Sequence, residues 1–177
     1  LKHQLEDSGA SAIIVVDNFG HTVAEVIGET HCKHVICTGV GDLLGFPKSL
    51  ITNFVVRHVK KMVPDYSLPN AIRYNEALGR GTRSTLPKVE IGPDDAAFLQ
   101  YTGGTTGVAK GAELTHRNMI ANMLQASAWL APVVREGSEI IVTALPLYHI
   151  FALTANFLTF ARSGGFNVLI TNPRDMP

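Results

Sequence analysis

Residues 102–111 read Thr-Gly-Gly-Thr-Thr-Gly-Val-Ala-Lys-Gly, with four glycines, three threonines and one lysine. Glycine has no Cβ, so its backbone can approach a ligand closely and turn N–H groups toward it. Gly103, Gly104 and Gly107 provide that freedom, and Thr102, Thr105 and Thr106 add hydroxyl donors. Lys110 adds a compact positive charge suited to a phosphate. An apolar run at 96–100 reads as a strand entering the loop. A helix over His116–Leu130, capped by Thr115, is expected to follow it. A loop between a strand and a helix is a common place for anions. A plain flexible surface loop is the alternative. It does not account for Gly-Gly-Thr-Thr-Gly followed three residues later by lysine.

Two other phosphate-loop patterns fail. The pattern G-x-x-x-x-G-K-[ST], aligned on Gly104, needs glycine at 109 and Ser or Thr at 111, where the chain has Ala109 and Gly111. The pattern G-x-G-x-x-G, tried on Gly39-Val40-Gly41, meets Leu44.

The elements around the loop alternate between strand and helix. Residues 1–8 read as the end of a helix that Gly9 stops. Ala12–Val16 reads as a buried strand, Val23, Val26 and Ile27 recur at helical spacing, and 35–38 is a second strand, making a parallel βαβ unit over 1–63. Residues 39–47 are a loop and 49–63 an amphipathic helix. Residues 64–93 are irregular except for a short helix at 71–78. Within 94–177 a further strand is expected at 140–144, an apolar helix at 149–162 ended by Gly164 and Gly165, and a last strand at 168–170. The pattern predicts an α/β fold with parallel-sheet lobes.

The 177 residues are 46% hydrophobic, enough for a packed core. Basic and acidic residues balance at 15 each, so nucleic acid is not an expected partner. Two cysteines, with no leader-like start, point to a reducing, cytoplasmic setting. Leu1 falls inside a helix and Pro177 just after a strand, so the expectation is an internal piece of a longer chain, with a truncated sheet prone to self-association.

Tyr101 through Gly111, YTGGTTGVAKG, resembles the signature of the adenylate-forming enzymes: acyl-CoA synthetases, firefly luciferase and peptide-synthetase adenylation domains. It departs at Gly103, commonly Ser, and at Ala109, commonly Pro. LPLYHIFALT (145–154) resembles the family segment running from a strand into the acyl-pocket helix. LTHRNMIANMLQ (114–125) and TNPRDMP (171–177) are similar to bacterial long-chain fatty acid–CoA ligases. The resemblance implies an AMP-binding N-terminal domain, with the ATP phosphate loop and acyl pocket within 94–177. It implies ATP, Mg2+ and coenzyme A as reactants or cofactors and a long-chain fatty acid as substrate. It assigns the phosphates to Thr102, Gly103, Gly104, Thr105, Thr106, Gly107 and Lys110, the Mg2+ to Thr102, and the acyl carboxylate to His149. The family's later Tyr-Gly-x-Thr-Glu segment does not occur in these residues, and its C-terminal catalytic lobe is not matched. This stretch by itself is therefore expected to lack turnover. Other readings remain a non-catalytic nucleotide-binding or membrane-interacting piece, or an adenylating enzyme for a different acid.

Several residues carry two readings. His149 either orients a carboxylate or is hydrogen-bonded within a core. Tyr101 either faces nucleotide or fills space below the loop. Trp129, Phe157 and Phe160 read as core, and His116 and Arg117 as surface. His31, Cys32, His34 and Cys37 include two ordinary thiols rather than a zinc set, because 34 and 37 fall on opposite strand faces. The helix at 49–63 either packs on its own domain or lies on a membrane. The packed helix is the commoner pattern; the membrane alternative rests on Lys48, Arg57, Lys60 and Lys61 meeting no acid before Asp65, and would make 49–63 a peripheral contact on the inner face of the cytoplasmic membrane.

Overall fold

The computed structural model describes residues 1–103 and 107–170. The chain divides into two units, Leu1–Val89 and Glu90–Pro177.

In the first unit, α1 (Lys2–Asp7) ends at Gly9, whose φ of +62° suits a residue without Cβ. Strands β1 (Ala12–Val16), β2 (His34–Thr38) and β3 (Ile72–Arg73) pair in parallel in that order, with α2 (Gly20–Val26) between the first two. The βαβ expectation holds: Ala12 pairs with His34 and Val16 with Thr38. The two-residue strand β3 was not legible, because a pair of residues shows no periodicity. Helix α4 (Tyr74–Gly81) begins later than the expected helix at 71–78 for the same reason: Ile72 and Arg73 belong to the sheet.

The core of this unit is Val15, Val23, Val35 and Cys37, with Ile13, Ile27 and Tyr66 packed against it. Each fully buried Val contributes roughly 1.5–3 kcal/mol. Alternation along the strands puts Cys37 in this core and leaves His34 exposed. Strand β1 differs from the expected fully buried strand. It lies at the sheet edge, only Val15 is buried, and Ile14 on the opposite face is 60% exposed.

The amphipathic segment also departs from expectation. Helix α3 (Lys48–Phe54) widens into a π-helical stretch, Val55–Val59, and stops there rather than at 63. Lys60 N–H donates to the Val55 carbonyl, five residues back, and Lys61 turns the chain with φ +49°.

In the second unit, β4 (Ala96–Thr102) and β5 (Lys110–Thr115) form an antiparallel hairpin. Helix α5 (His116–Leu130) follows, and its boundaries match the expectation. The Thr115 hydroxyl accepts from Asn118 N–H while the Asn118 side chain accepts from Thr115 N–H, a reciprocal cap. Strands β6 (Ile140–Thr143) and β7 (Phe166–Leu169) pair in parallel. The helix between them runs through a π-helical stretch, Ala152–Leu158, into α6 (Thr159–Arg162). The α/β fold class holds, with an antiparallel hairpin added. Trp129 is not core: it is 87% exposed. It projects from the flank of α5 near the helix end, about 80° round from the face that buries Met119.

Candidate active site

The glycine-rich loop joins two strands, not a strand and a helix. Thr102 pairs with Lys110 on the last rung of the hairpin, and Tyr101 with Gly111 on the next. Main-chain pairing with β4 makes 110–115 a strand. The helix N-terminus is a full strand away, and its first turn is occupied by the Thr115–Asn118 cap. The expected helix-dipole contribution to the loop is therefore absent. What remains is backbone N–H groups, threonine hydroxyls and Lys110.

Thr102, Gly103, Gly107 and Lys110 are all exposed. A Cβ at Gly103 or Gly107 would meet nothing within 4 Å, so no contact within the described residues requires glycine there. Gly111 is different: a Cβ would come within 2.9 Å of Tyr101 Cζ. Tyr101 thus lies across the hairpin over Gly111. Gly104, Thr105 and Thr106, and the 171–177 segment, lie outside the described residues.

His149 is exposed at the start of the helix after β6, not within a core. Its Nδ1 accepts from Phe151 N–H at 3.3 Å, and its own N–H donates to the Pro146 carbonyl. Gln100 on β4 donates from Nε2 to the Tyr148 carbonyl at 3.2 Å, tying the strand that enters the loop to the segment carrying His149. At the other end of the hairpin, Arg117 holds Asp94 through Nε at 2.7 Å and Nη2 at 3.0 Å.

Next to this segment, an apolar groove of about 550 Å3 lies between α5 and the 150–155 turns. Met119, Ala126, Phe151 and Ala155 line it. The wall is fixed from behind. Thr143 Oγ1 donates to Asn167 Oδ1 at 2.8 Å, Asn156 Nδ2 donates to Thr143 Oγ1, and Asn167 Nδ2 donates to the Asn156 carbonyl. A satisfied polar triangle of this kind holds the π-helical stretch in one register.

A polar cluster in the first unit escaped sequence reading. Asp17, directly after β1, is 6% exposed. It accepts from Tyr66 Oη at 2.8 Å, from Arg73 Nη1 at 2.8 Å and Nη2 at 3.1 Å, and from Arg57 at 3.4 Å. Burial, then the Asp17 hydrogen bond, pushes the Tyr66 phenol up to about 12. Burial alone would raise Asp42. The Gly39 N–H, Asn53, the Thr38 hydroxyl and Arg73 outweigh it and hold the carboxyl below its usual range. An aspartate at the end of an apolar strand was the available signal. Its partners lie 40 to 56 residues away in sequence.

Parallel strand pairs alternate with helices in both units, and the second unit carries both the glycine- and threonine-rich hairpin and the apolar groove, which puts the chain in the α/β class. The family of AMP-binding enzymes matches residues 1–177, and the chain belongs to that family. It is 58% identical over 177 residues to a long-chain-fatty-acid–CoA ligase of Escherichia coli O6:H1, covering 100% of this chain and 32% of the relative. A long-chain-fatty-acid–CoA ligase of Haemophilus influenzae is 52% identical, with 99% and 32% covered. The chain thus spans about a third of the length of the curated relatives it matches. Among solved structures, a red-emitting luciferase from Phrixothrix hirtus superposes with a TM-score of 0.66 at 17% identity, covering 99% of this chain and 30% of that one. The anthranilate CoA ligase AuaEII, in complex with anthranoyl-AMP, gives 0.64 at 18%, covering 96% and 27%. At these identities the likeness is one of fold.

Proposed function

We propose that this chain is the phosphate- and acyl-binding part of an AMP-forming long-chain fatty acid–CoA ligase. The observation that carries the reading is the Thr102–Lys110 rung, which sets a lysine and a threonine at the two ends of an open glycine loop. Among the described residues nothing crowds Gly103 or Gly107, which leaves their N–H groups room to meet a ligand. The relatives' names supply the substrate class, and the apolar groove beside His149 suits a hydrocarbon chain.

In the reaction the fatty carboxylate attacks the α-phosphate of ATP, pyrophosphate leaves, and an acyl-adenylate forms. The thiol of coenzyme A then displaces AMP to give the thioester. The first step joins two anions, so charge neutralisation dominates its barrier. Lys110 and the loop N–H groups at Gly103, Gly104 and Gly107, with the Thr105 and Thr106 hydroxyls, bind the phosphates. His149 orients the carboxylate at the mouth of the groove. Mg2+ would neutralise phosphate charge, held mainly by phosphates and water with the Thr102 hydroxyl beside it.

Calorimetric titration of the full-length protein with ATP tests the reading. Lys110→Ala is expected to weaken binding by about tenfold or more, since a charge-assisted hydrogen bond contributes about 1.5–3 kcal/mol. Unchanged affinity would remove the loop from the nucleotide site. A chain-length series of fatty acids separates this reading from an adenylating enzyme for a different acid. The 177-residue stretch by itself is proposed to lack turnover and to self-associate through its bare strand edge, which size-exclusion chromatography would register as species larger than monomer.

A second reading concerns location. No described helix is long and apolar enough to cross a membrane. Leu50, Ile51 and Phe54 of α3 are exposed, which supports a peripheral membrane contact through 49–63.

A further inference from the structure

Two hollows of the first unit meet at the carboxyl ends of its parallel strands. Asp17 and Asn18 follow β1 directly, Gly39 and Val40 follow β2, and Arg73 ends β3. All five line one cavity of about 760 Å3, within the size range of small-molecule sites. Open parallel sheets take their ligands at this end, in the crevice between the loops that leave the strands. Leu50, Ile51, Phe54 and Val56 give the cavity an apolar wall. That wall is preformed. Asn53 Oδ1 accepts from Gly41 N–H at 2.8 Å and Asn53 Nδ2 donates to Asp42 Oδ1 at 2.7 Å, which seats α3 on the loop after β2.

A second hollow, of about 570 Å3, adds Asp65, Tyr66 and Ser67 and shares Arg57, His58, Val63 and Arg73 with the first. The shared residues form a neck between an apolar chamber and a polar one. Arg57 and His58 sit on the π-helical turn Val55–Val59, a widening of the backbone often found at ligand sites. The charges at the neck are unequally engaged. Arg73 bridges the covered carboxylates, at 2.8 and 3.1 Å to Asp17 and 3.5 Å to Asp42. Arg57 has one hydrogen bond among the described residues, the 3.4 Å contact with Asp17, and its side chain is half exposed. Most of its guanidinium donors are therefore unused, and a planar carboxylate matches them in pairs. Arg57 and Arg73 balance Asp17 and Asp42, so the neck accepts a single negative charge more readily than a doubly charged phosphate.

We infer that this cavity is an accessory fatty-acid site, which holds one fatty carboxylate with its hydrocarbon along Leu50, Ile51 and Phe54 and its head on Arg57. None of its lining residues belongs to the glycine-rich hairpin or to the apolar groove beside His149, and all of them lie in the first unit. The site is therefore additional to the ligase reading and does not depend on it. A lipid surface is the competing occupant of the same α3 side chains. A concave chamber with a charged neck favours a single enclosed molecule, and the test separates the two.

The test is equilibrium dialysis of the full-length protein with radiolabelled dodecanoate, below its micelle concentration and without ATP or coenzyme A. Dodecanoate is expected to occupy this cavity in addition to the groove beside His149. Arg57→Gln should weaken the cavity-bound fraction by about tenfold or more, as loss of a charge-assisted hydrogen bond does. Ile51→Glu leaves the Asp17 cluster intact and replaces an exposed side chain, so it should keep the wild-type melting temperature and remove the same fraction. Ala155→Trp should remove the groove-bound fraction alone. Competition by 1-dodecanol, which lacks the charge, should be about tenfold weaker or more at the cavity. Wild-type dodecanoate binding in both Arg57→Gln and Ile51→Glu would overturn the inference, as would equal competition by the alcohol. So would an Ile51→Glu variant that loses only its binding to phosphatidylglycerol vesicles, which would identify a bilayer as the occupant. Failure of the ligase reading would instead remove the Ala155-dependent fraction from the wild type and leave the Arg57-dependent one.

Discussion

Thr102 and Lys110 face each other across the last rung of the β4–β5 hairpin, so the ends of the glycine-rich loop are held at the spacing of two paired strands. The loop is thus mounted on a paired hairpin rather than on a strand-to-helix turn. Both arms are hydrogen-bonded along their length, and the far end is clamped by the Arg117–Asp94 pair.

Gly111 is where that hairpin should be most sensitive. A methyl at 111 would meet the Tyr101 ring at 2.9–3.3 Å. Gly111→Ala is expected to destabilise by about 1–3 kcal/mol, as overpacking does. Tyr101→Ala in the same chain should recover part of that loss. Denaturant melts of the single and double variants check the coupling, and additive losses would show that the ring is not the obstacle.

The local contact of His149 and its proposed carboxylate role can be separated by mutation. Its Nδ1 accepts from Phe151 N–H, a local helix-start contact, and its imidazole faces solvent beside the apolar groove. His149→Ala should slow adenylation at least tenfold and cost about 1 kcal/mol of stability, the usual worth of a lost N-terminal acceptor. His149→Asn should restore the stability but not the rate. Pyrophosphate release and thermal melts read the two effects separately, and wild-type kinetics in His149→Ala would dismiss the carboxylate role.

Asp17 gathers three partners from distant parts of the first unit. Arg57 and Arg73 are each about half exposed, so solvent screens part of the attraction. Asp17→Asn is expected to cost about 2–3 kcal/mol, below the full loss of a buried pair. A double-mutant cycle with Arg73→Met should show coupling above about 0.5 kcal/mol. Independent effects would mean that the carboxylate acts through Tyr66 and Arg57 instead.

Tyr66 makes stability depend on alkaline pH. Its pKa rises from the ordinary 10 to about 12 on folding, so the folded state holds the proton more tightly. That contribution is fully present below about pH 10 and is lost as pH rises toward 12. Tyr66→Phe should flatten the fall in stability over this window. Absorbance titration should show a late-ionising phenol in the wild type that Tyr66→Phe removes.

The chain's residue order by itself determined the glycine- and threonine-rich composition of the loop, the parallel βαβ unit, the capped helix α5 and the family. Each rests on local information: glycine and threonine spacing, alternation, and a cap within three residues. Tertiary structure decided what depends on distant partners. Residues 110–115 are a strand because β4 pairs with them, although their own pattern, with Gly111 near the start, does not announce one. Trp129 faces solvent although its type favours a core. The sharpest case is α3. Its apolar spacing reads the same whether it packs inward or outward, since periodicity defines a face but not its direction. Asn53, seated on Gly39 and Gly41, left that face lining a cavity outside the core.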